Sequence, residues 1–282
     1  MAYLAHPAVH SERAGGVAAP VQNTAPVRIF RQARSATASA LQCLPSASMV
    51  RQEFVVYIGL DGAELSVETD GRGLPAGCAI VSPCVRHRVR AVAGTSRFVQ
   101  LAVNPRHPGY RALRVFIDTP VVRLDPARFD ELHPRLEAMF AASDMHDYKF
   151  TLLVDDILDA VLPGQLPPPP QDERIREVLR RIDANIDHPF EQLVREIGLS
   201  PSRFSHLVSE QLGLSLRGYK LWRRADVAWE IVFAKPQWRL ARVASEAGFS
   251  DQSHMSRTML QSFGFTASQL RDPLLVQVVY NW

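Results

Sequence analysis

Two stretches decide the reading of this chain: LVREIGLSPSRFSHLVSEQLGLS at 193–215 and VASEAGFSDQSHMSRTMLQSFGFT at 243–266. Gly198 and Ser200 are matched by Gly248 and Ser250 at a spacing of fifty, Ser205 and Gly213 by Ser256 and Gly264 at fifty-one. One extra residue is therefore expected at the start of the second copy's last helix. Each copy has the same grammar. An apolar stripe (Leu193, Val194, Ile197) stops at Gly198, where glycine can adopt the left-handed conformation that closes a helix. Leu199 plugs the angle, Ser200 offers its hydroxyl as a cap, and Pro201 suits the first helical position. Ala247, Gly248, Phe249 and Ser250 are expected to do the same work. One such unit reads equally as a helical hairpin. Two copies with the same grammar point to paired helix-turn-helix units at about 190–212 and 239–263.

Between the copies, Ser215 can cap a helix running to about Ala234, just before Pro236. About 20 residues of helix span ~30 Å, against ~34 Å for one turn of duplex DNA. A connector of that length can set two recognition helices into successive major-groove turns. Lys220, Arg223 and Arg224 on it would lie near phosphates, or else form a solvated face. The early residues of each second helix would meet base edges. These are Ser202, Arg203, Ser205 and His206, then Gln252, Ser253, Ser256 and Arg257. Arginine can make a bidentate contact with guanine, and glutamine with adenine. Ser200 and Ser250 are read as caps. Leu193, Ile197, Leu199, Phe204, Leu207, Val243, Phe249, Met255 and Phe263 are read as core.

Whole-chain charge argues little, since the net is +3. Residues 172–272 hold 15 basic against 13 acidic side chains, so a nucleic-acid partner must be argued from where charges sit. No run of eighteen apolar residues exists to span a membrane, and the first thirty residues lack a secretory pattern. Three cysteines (Cys43, Cys78, Cys84) make an odd count, which fits a reducing cytoplasm rather than a disulfide framework. Pro167 to Pro170 are four consecutive prolines. They cannot donate backbone hydrogen bonds and favour an extended spacer. Four regions follow: 1–162, a linker 163–171, a helical DNA-binding domain 172–273, and an apolar tail 274–282 that packs back or meets a partner.

Residues 174–271 resemble the DNA-binding domain of the AraC/XylS family of bacterial transcription regulators. The carrying residues are Leu193 with Ile197-Gly198-Leu199-Ser200, Gly213-Leu214-Ser215, Tyr219, Arg224 and Ala228. In the second half they are Val243-Ala244, Ala247-Gly248-Phe249-Ser250-Asp251, Ser253, Ser256-Arg257, Phe263-Gly264 and Arg271. The sequence departs from the family at Met255 and Met259 (usually aromatic), Leu260 (basic), Ala267 (proline) and His206 (often arginine). The loss of basic residues at Leu260 and His206 would weaken DNA contacts or change the target. The resemblance implies promoter DNA as partner, RNA polymerase beside it, and activation as the habit.

Ahead of the linker, 54–58, 63–69, 78–82, 87–92 and 97–103 read as short strands of a sandwich or barrel. Residues 1–48 read as arm and loop. Helices are expected near 126–142, interrupted at Pro134, and near 148–162, where apolar stripes suit either a homodimer contact or the cover of the sandwich. Leu74-Pro75-Ala76-Gly77 and Ser82 to Val89 resemble the cupin-like sensor domain of the same family. The fold class is thus α+β: a cupin-like β-sandwich or barrel with helices, then an all-α domain of two helix-turn-helix units joined by a long helix. His87 is a candidate effector contact, with a satisfied core histidine as the alternative. No His-x-His precedes it, so no metal shell assembles; no metal, cofactor or catalysis is expected. Cys78 and Cys84 read as two buried thiols, with a redox pair as the alternative. Arg86, Arg88 and Arg90 are expected to face water, with an anionic ligand as the alternative. A small effector bound to the first domain would control the second, unless abundance or a protein partner does so; a cupin-type enzyme is the remaining alternative.

Overall fold

The computed structural model describes residues 26–32, 36–42, 48–92, 97–142, 145–164 and 170–279. The tetraproline stretch, apart from Pro170, lies outside the described residues, as do Cys43 and most of the N-terminal arm. Among the described residues, ten strands belong to the first part: β1 Val27–Gln32, β2 Ala36–Leu41, β3 Met49–Val50, β4 Phe54–Gly59, β5 Leu65–Thr69, β6 Arg72–Ala76, β7 Cys78–Val81, β8 Arg86–Ala91, β9 Phe98–Val103 and β10 Val121–Leu124. Helix α1 (Pro108–Phe116) interrupts them. A 3₁₀ turn (Pro126–Leu132) then leads into α2 (His133–Ala141) and α3 (Asp147–Val161). Pro134 sits in the first turn of α2, where its missing N–H costs nothing.

Period-2 alternation explains the sandwich. Val55 and Tyr57 of β4 point to one face, Phe54, Val56 and Ile58 to the other, and all are buried. The first face meets Leu65, Val67 and Val89 of a four-stranded sheet ordered β3-β8-β5-β6. The second face is covered by helices, through Tyr110, Leu136, Phe150 and Ile157. The larger sheet has seven strands, ordered β10-β7-β4-β9-β2-β1-β11, and its central strands are buried on both faces.

Seven further helices follow: α4 Glu173–Ala184, α5 Phe190–Ile197, α6 Pro201–Leu212, α7 Leu216–Ala234, α8 Leu240–Glu246, α9 Gln252–Phe263 and α10 Ala267–Leu270. The last strand, β11 (Val276–Val279), comes from the apolar tail. It pairs in parallel with β1, Val27 opposite Val276 through Phe30 opposite Val279, and so closes the edge of the large sheet. The helical half is thereby sewn to the sheet half. One apolar core runs unbroken from Phe54 and Tyr110 through Val178 and Phe204 to Tyr219 and Trp222.

Several expectations need correction. β1 and β2 lie in the segment read as arm and loop, and β6 (RGLPA) occupies a stretch read partly as turn. Helix α1 is an addition to the expected elements. Cys84 is exposed and Cys78 buried, and both are free thiols, so they are not a buried pair. Burial pushes the Cys78 thiol up to about 11, which keeps it protonated. Arg86 and Arg90 are exposed and Arg88 half-buried, as a solvated strand face requires.

His87 is 1% exposed and is a satisfied core residue. One ring nitrogen faces the Val85 carbonyl at 3.0 Å and the other the Tyr57 hydroxyl at 3.2 Å. A neutral ring serves both contacts, donating to Val85 and accepting from Tyr57. Burial, with Arg51 adding to it, lowers its pKa to about 4. His107 caps α1 by accepting from the Gly109 N–H at 3.0 Å, and burial lowers it likewise to about 4. A folded pKa below the ordinary value means the fold requires the neutral ring. Stability is then full above pH ~6.5 and is lost as pH falls toward 4. Each histidine is expected to withdraw about 3 kcal/mol over that window. Urea midpoints measured from pH 7 to pH 4 should fall steeply, and His87→Gln should flatten the profile. A His87→Gln profile parallel to the wild type would assign the pH dependence elsewhere.

Candidate nucleic-acid interface

In the first copy, Gly198 closes α5 at φ +70°. Leu199 follows half-buried against the core, and the Ser200 hydroxyl accepts from the Arg203 N–H at 3.3 Å to start α6. The second copy uses the same left-handed glycine, Gly248 at φ +78°. Its cap differs from expectation: Asp251, not Ser250, starts α9, its carboxylate accepting from the His254 N–H at 2.7 Å. Ser250 instead donates to Asp251 at 3.0 Å. The extra residue of the second copy is thus absorbed in the turn, not in the helix. Those hydrogen bonds, the Ser253 N–H and the nearby Arg257 charge hold the Asp251 carboxyl below its ordinary pKa.

The two second helices end alike. Gly213 and Gly264, at φ +69° and +81°, terminate α6 and α9. Their apolar faces are buried: Phe204, Val208 and Leu212 in the first, Met255 and Met259 in the second. The opposite faces are open. Ser202, Arg203, Ser205 and His206 on α6 and Gln252, Ser253 and Arg257 on α9 are all exposed, and Ser256 is half-exposed. His206 also lies 3.7 Å from Glu210 one turn on. The structure therefore brings the eight helix residues to two solvent-facing patches. Of the core residues read from the sequence, Leu193, Phe204, Val243, Phe249 and Met255 are buried. Ile197, Leu199, Leu207 and Phe263 are half-buried against the core.

The connector α7 is 19 residues long and capped by Ser215, which accepts from Gly218. Its cations do not behave alike. Arg223 is 4% exposed and held by Asp183 at 3.2 Å and Asp226 at 2.8 Å. It is an interior ion pair and not a phosphate contact, which corrects the expectation for that residue. Arg224 is half-buried and paired with Asp187. Lys220, also half-buried, donates to the His188 carbonyl, and burial with the neighbouring Arg224 lowers its pKa.

Where the halves meet lies a cavity of about 20 Å³, room for about one water molecule. Arg51, Gln100, Asn104, Asp226, Trp229 and Phe263 line it. Arg51 is 3% exposed and donates to the Phe263 carbonyl at 2.8 Å. With the Gln100 amide turned so that its oxygen faces the guanidinium, it also accepts from Arg51 at 3.1 and 3.2 Å. Sequence reasoning did not single out Arg51. His87 does not line this cavity. The one group of potential metal ligands among the described residues, Asp61, His133 and Glu137, is surface-exposed or half-exposed, and Arg97 already bridges its two carboxylates.

Comparison with known proteins places these features. Residues 193–272 match the family model of a helix-turn-helix domain. The arabinose operon regulatory protein of Escherichia coli is 32% identical over 108 residues, 36% of each chain. Its counterpart from Salmonella typhimurium is 26% identical over 166 residues, 56% of this chain and 59% of that one. The chain thus spans between about a third and three-fifths of these relatives' length. Among solved structures, a point variant of ToxT from Vibrio cholerae in its apo form superposes with a TM-score of 0.57 at 9% identity, covering 85% of this chain and 98% of that one. Wild-type ToxT bound to an unsaturated fatty acid superposes at 0.54, also at 9% identity, covering 89% and 99%. At that identity the likeness speaks for the fold, a β-rich half followed by a helical half. With the repeat, the caps and the family match in agreement, residues 193–272 form a paired helix-turn-helix domain similar to that of the arabinose operon regulators.

Proposed function

We propose that the chain is a sequence-specific transcription regulator that reads two successive major-groove turns of promoter DNA. The observation that carries this is the pairing of two exposed polar helix faces across one rigid connector. At 1.5 Å per residue, the 19 residues of α7 span about 28 Å, close to the ~34 Å between successive turns. Arg257 and Gln252 suit guanine and adenine edges. Ser202, Arg203, Ser205, His206, Ser253 and Ser256 complete the two reading faces. Lys220 and Arg224 reach phosphates once their present partners yield, whereas Arg223 stays inside. Contact with RNA polymerase and activation are the family's habit and are proposed on that ground. A homodimer would use the exposed Tyr148 and Leu152, one turn apart on α3.

A small effector is the second element of the proposal. ToxT of the same fold has been solved with an unsaturated fatty acid and with (E)-4-(8-methylnaphthalen-1-yl)but-3-enoic acid. Both ligands are carboxylic acids. In this chain the buried cation beside an interdomain cavity is Arg51. Because that cavity has room for about one water, an acid that entered it would part the halves, which would couple binding to the DNA-reading face.

Two measurements test these readings. The full chain, titrated at fixed salt against duplexes selected from a random pool, should lose about 1–3 kcal/mol per contact in Arg257→Ala and Gln252→Ala. Non-specific binding should barely change. Equal losses on selected and unselected DNA would remove base reading from α9. For the effector, a long-chain unsaturated fatty acid should raise the thermal midpoint of the wild type by a few degrees at saturation, and Arg51→Gln should lose that shift. A shift retained in Arg51→Gln would move the site elsewhere, and no shift in the wild type would discard this effector class.

A further inference from the structure

The two recognition helices end at equivalent places in the repeat, Leu212 before Gly213 and Phe263 before Gly264. The last carbonyls of a helix have no partner within it and carry the negative end of its dipole. Here both terminal carbonyls are taken up by the sheet half. The Tyr110 hydroxyl, fully buried on α1, donates to the Leu212 carbonyl at 2.7 Å. Arg51, in the turn before β4, donates to the Phe263 carbonyl at 2.8 Å. A cation stands at each end: Arg51 itself at α9, and Arg114 against Gly213 at α6, where its Nε lies 2.8 Å from where a β-carbon would be. The opposite, amide-bearing ends of both helices, with Ser202 and Gln252, are left exposed.

A third tie joins the same two halves. Strand β11 follows α10 and hydrogen-bonds to the edge strand β1, and Ile29 of β1 packs into the core of the second helix-turn-helix unit beside Met255 and Val276. Trp222 of α7 adds a bond from its indole N–H to Glu53 at 3.2 Å, and Ser262 of α9 one to Gln52 at 3.3 Å.

We infer that Tyr110, Arg51 and the β1–β11 pairing form one cooperative latch, by which the sheet half grips both recognition helices at their carbonyl ends and fixes their separation. The name recognition helix rests on the DNA-binding reading above; the latch itself does not. While it is closed, the two units cannot adjust to a different half-site spacing. Opening it at one tie frees the others, because all three oppose the same separation of the halves.

Hydrogen exchange of the full chain, without DNA, tests this. The variants are Tyr110→Phe, which keeps the ring and removes one hydrogen bond, and a chain ended after Leu275. Losing one hydrogen bond should speed opening about fivefold. In Tyr110→Phe, that acceleration is expected in the last turn of α6 and also in β11 and the last turn of α9, where nothing was changed. In the shortened chain, the last turns of both α6 and α9 should accelerate together. Acceleration confined to the neighbourhood of each change, or none, would overturn the latch even if DNA binding is intact. In a second measurement, base pairs are inserted between the half-sites of a selected duplex. The wild type should lose affinity about tenfold per inserted pair and the latch variants about threefold or less. Identical spacing profiles would overturn the inference that the latch fixes helix separation. A wild type that selects no DNA would sink the DNA-binding reading, and the exchange result would still decide the latch.

Discussion

A buried polar chain crosses the seam between the halves, and the arrangement of the molecule depends on it. The indole of Trp222 donates to Glu53, Glu53 lies 3.8 Å from Arg51, and Arg51 donates to the last carbonyl of α9. Trp222, Glu53 and Arg51 are each at most 4% exposed. A buried carboxylate and guanidinium lose much hydration and are tolerable only when mutual charge and further hydrogen bonds offset it. Removing either partner would strand the other. Neither half can therefore withdraw without exposing Trp222 and leaving groups that water must rescue. Apolar cores slide and repack with modest loss, but a directional chain of this kind admits one register.

The repeat and the seam explain each other. A helix-turn-helix unit is small and buries little on its own, so its core borrows from neighbours: Phe204 and Leu212 from the large sheet's helical cover, Met255 and Met259 from α7 and β1. The two units are alike where sequence is local, in their glycine closures and helix lengths. They differ where they meet the rest. The first is held by a neutral hydroxyl, the second by a charged guanidinium, and the second needs an extra turn residue with Asp251 as cap.

What the sequence disclosed follows the same division. Both helix-turn-helix units, the connector from Ser215 to Ala234 and the strands at 54–58 and 98–103 were legible because caps, left-handed glycines and period-2 alternation act within a few residues. β1, β2 and β11 were not. ATASAL of β2 is buried nearly throughout and made of small residues, so no polar face alternates with an apolar one. β11 is four residues whose partner lies about 250 positions away, and no local rule sets such a pairing. The signals for α1 were present: His107 as cap and Pro108 in the first turn. The cations of α7 show the limit for the interface. Arg223 and Arg224 are adjacent and chemically identical, yet a helix turns 100° between them, and that rotation puts one inside with Asp226 and the other at the surface. The i,i+3 spacing of Arg223 and Asp226, flanked by Trp222 and Trp229, was the only local sign that this arginine is structural.

Arg51 was invisible for a deeper reason. Nothing near it in the chain marks it: it sits in a turn before β4, and its importance comes from what the other half brings to it. Under the proposed function, the same placement makes it the point where effector control and DNA reading would meet. The Arg51 guanidinium donates both to a helix carbonyl and to the Gln100 oxygen and lines the interdomain cavity, so any group entering that cavity would compete for hydrogen bonds that hold α9. Binding there and holding the recognition helix draw on the same donors. A ligand need not push the helix; it has only to satisfy Arg51 better than the Phe263 carbonyl does, and its preference for the opened state sets how far the balance moves.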